Sequence, residues 1–344
     1  MIQQHGGNIE QLGGIIDFSA NINPLGIPDG VRRAVAESVD SIEKYPDPYC
    51  TELRMNLAGH EHISAGCIVC GNGADDLIFR IVHAFRPARA LICAPTFSEY
   101  SRALSEVGCE ITEHLLTEEN GFELTENILP KLDSSVDICF ICTPNNPTGR
   151  LTAPDLLKKI AEKCMENETI LVCDECFLDF VSGGESFSIR RFLNENCIIL
   201  KAFTKLYAMP GIRLGYAICG SSRLSERIKE SGQFWSVSAI AQKAGIAALA
   251  EREYLAKTVE FITQEYSFLA RELSSAGAKV FEGAANYLLF KSRSGLGEAL
   301  LSEGILIRDC QSFHGLSDGF FRTAVRTHNE NIRLVSAVRR CLNG

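Results

Sequence analysis

Lys205 stands in the run KAFTKLYAMPGIRLGY, directly after the apolar stretch Cys197–Leu200, and Arg213 follows within the same run. Upstream, the apolar run ILVCDE carries Asp174 at its carboxyl end, followed by Glu175. A lysine amine attacks aldehydes, a carboxylate can keep a heterocyclic nitrogen protonated, and a guanidinium fork suits phosphate. Three more segments have chemistry to offer. GNGADDL (Gly71–Leu77) follows the short run CIVC and opens a helical pattern, so its backbone N–H groups are free either for a phosphate or simply for a turn. Phe97 of PTF comes where an aromatic could lie over a flat ring or fill a core, and TPNNPTGR (Thr143–Arg150) places Asn146 beyond another apolar run. Taken singly these residues are ordinary; a lone lysine is usually a solvated surface group. Together they match pyridoxal phosphate, which needs an amine for its aldehyde, an anion for its ring nitrogen and cations for its phosphate.

The elements that must position them are legible as alternating patterns. RALICA, CEITEHLL, VDICFICT, TILVCDE, CIILKAF and LGYAICG read as strands, separated by helical periodicity over Asp75–Phe85, Ser98–Val107, Ala153–Asn167 and Arg223–Lys229. This is the βα alternation of an α/β protein with a mostly parallel central sheet covered on both faces. From about Ala239 the pattern changes: a long interrupted helical stretch, Gln242–Ala276, leads to NYLLFKS, ILIRDC, FFRTAVRT and a closing helix over Glu330–Leu342. The expected division is an N-terminal arm with part of a small domain over 1–40, a large cofactor-binding domain over 41–240 and a small α+β domain over 241–344. There is no internal repeat or low-complexity tract.

Composition bounds the function. With 344 residues, 46% hydrophobic and 22% charged, the chain reads as an ordinary globular protein, and its net charge of −9 without Lys/Arg runs argues against nucleic acid or anionic membrane as partners. The start MIQQHGGNIE has no basic-then-apolar leader and no apolar run approaches ~18 residues, so the expected location is the cytoplasm. Fourteen cysteines, with CxxC spacing at Cys67/Cys70, Cys139/Cys142 and Cys173/Cys176, raise a zinc or iron–sulfur alternative. Each pair falls in or at the end of an apolar run, where residues three apart on a strand face opposite ways. Buried thiols acting as small hydrophobes, with no metal, are the favoured reading.

NNPTG, then DE after an apolar strand, then TKLYAMPGIRLGY resemble the aspartate-aminotransferase-like class of pyridoxal-phosphate enzymes (fold type I), in the histidinol-phosphate aminotransferase branch. Within it, HGGN, DFSANINPLGIP, YPDP and ILIRDCQSFHGLSDGFFRTAVRT resemble the threonine-phosphate decarboxylases of cobalamin biosynthesis. The resemblance implies that Lys205 carries the cofactor aldehyde and Asp174 holds the ring nitrogen protonated. It implies that Asn146 bonds the ring O3′ and the substrate, and that Phe97 stacks on the ring. Gly73, Ala74, Thr204 and Arg213 would hold the cofactor phosphate, with Tyr45 reaching in from a second subunit of a homodimer. Arg322 would grip the substrate carboxylate, and His5, Gly6, Asn21 and Arg308 the substrate phosphate. Two positions depart from the pattern: Ala202 stands where the branch has Ser or Thr, and Phe177 where the wider class has Tyr.

The activity so implied is decarboxylation of L-threonine O-3-phosphate to (R)-1-aminopropan-2-ol O-2-phosphate for the nucleotide loop of cobamides. L-serine O-phosphate is an alternative substrate, since one methyl group is worth only ~1–3 kcal/mol in a pocket. An aminotransferase acting on histidinol phosphate or a related amino acid is the rival enzyme, and a non-catalytic binding module of the same fold the rival class. HGGN speaks against the first and the Lys205 constellation against the second.

Overall fold

A computed structural model describes residues 6–7 and 13–343. The chain enters through β1 (Ile16–Asp17), α1 (Asp29–Glu37) and α2 (Thr51–Glu61). The alternating region then runs β2 (Ile68–Gly71), α3 (Ala74–Phe85), β3 (Arg89–Ala94), α4 (Glu99–Glu106), β4 (Glu110–Leu115), β5 (Ile138–Cys142), α5 (Pro154–Glu166) and β6 (Ile170–Asp174). It continues through β7 (Cys197–Ala202), the single turn α6 (Phe203–Leu206), β8 (Gly215–Cys219) and α7 (Ser222–Glu230). The remainder is α8 (Ala239–Leu249), α9 (Arg252–Ser275), β9 (Lys279–Val280), β10 (Tyr287–Lys291), α10 (Leu296–Ser302), β11 (Ile305–Leu306), β12 (Arg308–Asp309), β13 (Phe320–Ala324) and α11 (His328–Asn343).

Seven strands form the central sheet in the order β2-β8-β7-β6-β5-β3-β4. Strands β3 to β7 are parallel, while β8 is antiparallel to both neighbours. The connection from β7 to β8 holds only one α turn and a 3₁₀ turn at Pro210–Ile212, too short to cross the sheet, so the chain returns alongside itself in the opposite sense. Side chains alternate between two cores, as period two requires. Cys139, Ile141, Leu171, Cys173 and Ile199 belong to one, and Ile138, Phe140, Val172, Ile198 and Leu200 to the other. Leu77, Ile81, Leu104 and Ile228 of α3, α4 and α7 close over the second face, and Leu157 and Ile160 of α5 over the first. Each such side chain fully buried contributes about 1.5–3 kcal/mol.

A second, antiparallel sheet has the order β12-β13-β10-β9, and β1 pairs in parallel with β11. Through Phe18 N–H to the Leu306 carbonyl (2.7 Å) and Ala324 N–H to the Phe18 carbonyl (2.8 Å), the segment after β1 is bound to this second sheet. The long helical stretch breaks at Ala250–Glu251, where the Glu251 carboxylate accepts the Gly30 N–H at 3.0 Å and so caps the start of α1.

The first residue of β8, Gly215, lies against the turn that starts α3: a Cβ there would stand 2.6 Å from Ala74 N and 2.7 Å from Gly73 C. Backbone cannot yield as a side-chain tip can. Gly215→Ala should lower the urea midpoint by the equivalent of about 1–3 kcal/mol, whereas Gly211→Ala, with open space around it, should stay within about 0.5 kcal/mol.

Candidate active site

Parallel register sets Cys142 opposite Asp174 and Asp174 opposite Leu200, so β5, β6 and β7 end level. A cavity of about 600 Å³ opens there, of a size for a cofactor and a small substrate. Asp174 lies on its wall, buried; Tyr100 OH donates to Oδ2 at 2.6 Å and the Cys176 N–H to Oδ1 at 3.0 Å. Tyr100 is fully buried, stacked on Phe140 and edge-on to Phe97, and burial together with Asp174 pushes its phenol far above the ordinary range, so it remains a donor. Sequence reasoning missed Tyr100; the available signal was an aromatic one helical turn beyond Phe97.

Lys205 and Thr204, on the single turn α6, reach the cavity, as do Phe97, Ala74 and Arg213. Lys205 Nζ makes no hydrogen bond or ion pair among the described residues and stands 5.4 Å from the Phe177 ring centroid. Arg213, at φ +59°, lays its guanidinium against the first turn of α3: a Cβ on Gly73 would lie 2.8 Å from Nη2. Ala202 does not line the cavity; it faces a small pocket behind β7, beside Lys201 and Tyr216.

Arg308 and Arg322 face each other as register partners on β12 and β13. Burial lowers the proton affinity of both, which marks them as cations drawn out of water. Arg322 donates to Asn146 Oδ1 and, at 2.7 Å, to the Ser19 carbonyl, while its buried Nε has no partner among the described residues. Asn146 keeps its Nδ2 as a donor, and Asn21, also on the cavity wall, has a buried Oδ1 with no partner among the described residues. Gly6 lines the same cavity; His5 lies outside the described residues. Tyr45 is far from burial: 79% exposed, it stacks on Trp235 at 4.5 Å, beside the exposed Tyr49 and Phe234.

The cysteine expectation needs correcting in part. Cys139 and Cys142 do sit on one strand facing opposite cores, but Cys67 precedes β2 and Cys176 follows β6. Among the described residues no group of three or more His, Cys, Asp or Glu could hold a metal ion, and no helix is long and apolar enough to cross a membrane.

Residues 13–338 match the family described as aminotransferase class I and II. The chain belongs to this family and has the aspartate aminotransferase fold. It is 38% identical to threonine-phosphate decarboxylase of Salmonella typhimurium strain LT2, over 99% of this chain and 97% of that protein. Among solved structures, histidinol-phosphate aminotransferase of Clostridium acetobutylicum superposes with a TM-score of 0.89 at 30% identity, covering 95% of this chain and 98% of that one. L-threonine-O-3-phosphate decarboxylase of Porphyromonas gingivalis gives 0.83 at 24% identity, covering 95% and 99%, a likeness of fold.

Family and fold imply pyridoxal phosphate, and the cavity fits it. Gly73 leaves room at a helix N-terminus with a guanidinium against it, a buried carboxylate lies at a strand end, and a lysine amine with no hydrogen-bond or ion-pair partner among the described residues lines the same cavity.

Beside Asp174, Glu175 turns away into the core, where Ser188 OH (2.8 Å) and Ile189 N–H (2.8 Å) donate to it. Burial pushes its carboxyl from the ordinary 4.5 up to about 7, against the pull of Lys201. An acid raised in this way binds more protons folded than unfolded, so its contribution to stability is whole below 4.5 and lost as pH rises through about 7. Glu175→Gln has no such titration. Relative to the wild type its urea midpoint should climb between about pH 5 and pH 7, by up to ~1.4 kcal/mol per pH unit; a difference that stays flat with pH contradicts the assignment.

Proposed function

We propose that the chain decarboxylates L-threonine O-3-phosphate, releasing CO₂ and (R)-1-aminopropan-2-ol O-2-phosphate, in the building of the cobamide nucleotide loop. The supporting observation is the guanidinium count. Arg213 stands at the α3 turn for the cofactor phosphate, and the register pair Arg308 and Arg322 offers two further buried cations, for an amino acid that carries a carboxylate and a phosphate. The similarity to the Salmonella decarboxylase along nearly the whole of both chains points the same way.

Pyridoxal phosphate, when bound, supplies an electron-accepting ring conjugated to the substrate Cα. The protein's share is placement and proton control. Asp174, held by Tyr100 OH and the Cys176 N–H, would keep a proton on the ring nitrogen. Asn146 Nδ2 would donate to the ring hydroxyl oxygen, Phe97 would pack on the ring, and Thr204 would join Ala74 and Arg213 in holding the phosphate; all five line the cavity. Arg322 grips the substrate carboxylate; Arg308, Asn21, Gly6 and His5 hold its phosphate. Gripping both ends sets which bond at Cα stands perpendicular to the ring, and only that bond can deliver its electrons to it, so remote binding energy becomes orientation. Lys205 Nζ would be the acid that returns a proton to Cα once the carboxylate has left as CO₂.

Holoenzyme given L-threonine phosphate should release one CO₂ per amine formed, and Lys205→Ala should lose about 10²–10⁴-fold of that rate. Glutamate formation from 2-oxoglutarate without CO₂ decides for the aminotransferase, the reading that the fold likeness to the Clostridium enzyme favours.

We further propose a homodimer in which Tyr45 completes the partner's phosphate site, supported by its exposed ring in the patch with Tyr49, Phe234 and Trp235. Sedimentation should give twice the chain mass. A monomer that is fully active with substrate rules this out.

A further inference from the structure

Ser19 is fully buried and lines the substrate cavity. Its N–H and its hydroxyl both donate to Asp17 Oδ1, at 2.7 and 2.6 Å. With the hydroxyl proton committed to Asp17, the oxygen lone pairs face the other way and accept the Gly7 N–H at 2.9 Å. Its carbonyl accepts from Arg322 Nη2 at 2.7 Å. The approach of the glycine segment is close: a Cβ on Gly6 would stand 2.2 Å from the Ser19 carbonyl oxygen. One residue thus touches both the glycine segment and the arginine, and the Ala324 N–H donating to the Phe18 carbonyl ties its neighbour to the sheet that carries Arg308 and Arg322.

We infer that Ser19 is the positioning residue that ties two recognition groups of this cavity together, its hydroxyl seating Gly6–Gly7 for the phosphate and its carbonyl aiming Arg322 at the carboxylate. The inference rests on the substrate reading above and deepens it. A serine here does what alanine cannot: it accepts the Gly7 N–H, while Asp17 dictates which way the hydroxyl points. The mechanical part, the seating of the glycine segment, holds whatever the substrate. The functional part is that this seating is used in binding a phosphorylated amino acid.

Two variants separate the parts. Ser19→Ala removes the acceptor for Gly7 and leaves the carbonyl for Arg322; Gly6→Ala pushes the segment off the Ser19 carbonyl without touching Asp17. Each is prepared as holoenzyme, with the cofactor's visible absorption band as proof of a loaded, folded site. Hydrogen–deuterium exchange of the peptide containing Gly6 and Gly7 should speed up in both variants, with the peptides of β5 to β7 unchanged. With L-threonine phosphate, KM should rise about tenfold or more, one hydrogen bond's worth, while kcat stays within about threefold. Exchange equal to wild type overturns the seating. Faster exchange with unchanged KM, or a loss confined to kcat, overturns its use in substrate binding. A wild type that releases no CO₂ from the substrate overturns the decarboxylase reading, and the exchange comparison still decides the role of Ser19.

Discussion

Parallel pairing of β5, β6 and β7 in level register is the constraint from which the site follows, because it delivers three chain exits to one edge of a buried sheet. Asp174 is at that edge because β6 stops there, not because an acid prefers it. A carboxylate so enclosed costs several kcal/mol unless its oxygens find donors. Tyr100 OH and the Cys176 N–H meet that need from opposite directions, one from α4 and one from the chain just beyond the strand. The aromatic packing of Tyr100 on Phe140 and Phe97 then has a second consequence, for it fixes the donor and the cavity-lining Phe97 with one piece of core.

The second sheet has to meet that edge accurately, and small residues make this possible. Gly149, at φ +73°, lies against Gly283, with the Gly149 carbonyl accepting the Ala284 N–H at 2.8 Å. Tyr287 OH donates to the Asn145 carbonyl at 2.8 Å. The NNPTG segment is therefore a joint as much as a source of chemistry: its first half faces the cavity through Asn146, and its glycine lets the backbone of the second sheet come close enough for Arg322 to reach Asn146.

Strands buried on both faces announce themselves as unbroken apolar runs, which is why RALICA, ICFIC, ILVCD and CIILKA were legible with nearly their observed bounds. The two-residue strand β1 leaves no such trace and exists through pairing with distant chain, while β11 and β12 show only as the single run ILIRDC. The helix α2 was missed for a different reason: Asp47 of YPDP accepts the Tyr49 and Thr51 N–H groups and so starts a helix whose signal lies outside the helix itself. The residues carried by motif, Phe97, Asn146, Asp174, Lys205 and Arg213, come together on one cavity. Those whose importance is a contact, Tyr100 on Asp174 and Ser19 on Gly7 and Arg322, were not legible, since nothing in DFSAN or EYSRA tells which distant atom lies opposite.

The position of Ala202 shows the limit of reading a motif by offset alone. A serine or threonine there was expected to help hold the cofactor phosphate, yet residue 202 ends β7 facing the pocket behind the sheet, next to Lys201, and Thr204 is the hydroxyl on the cavity wall. The space behind β7 is occupied by a different set of demands. Lys201 lies between Asp179 at 2.8 Å and Glu61, and Glu61 takes Tyr216 OH at 2.5 Å and Arg190 besides. Burial works against the charge on Lys201, but the three neighbouring carboxylates outweigh it and hold its proton affinity up. Lys201 is thus held in ion pairs behind β7, while Lys205, four residues further along the same chain, lines the cavity and makes no ion pair among the described residues. An amine held in an ion pair stays protonated and does not attack an aldehyde, which sets Lys201 apart from Lys205.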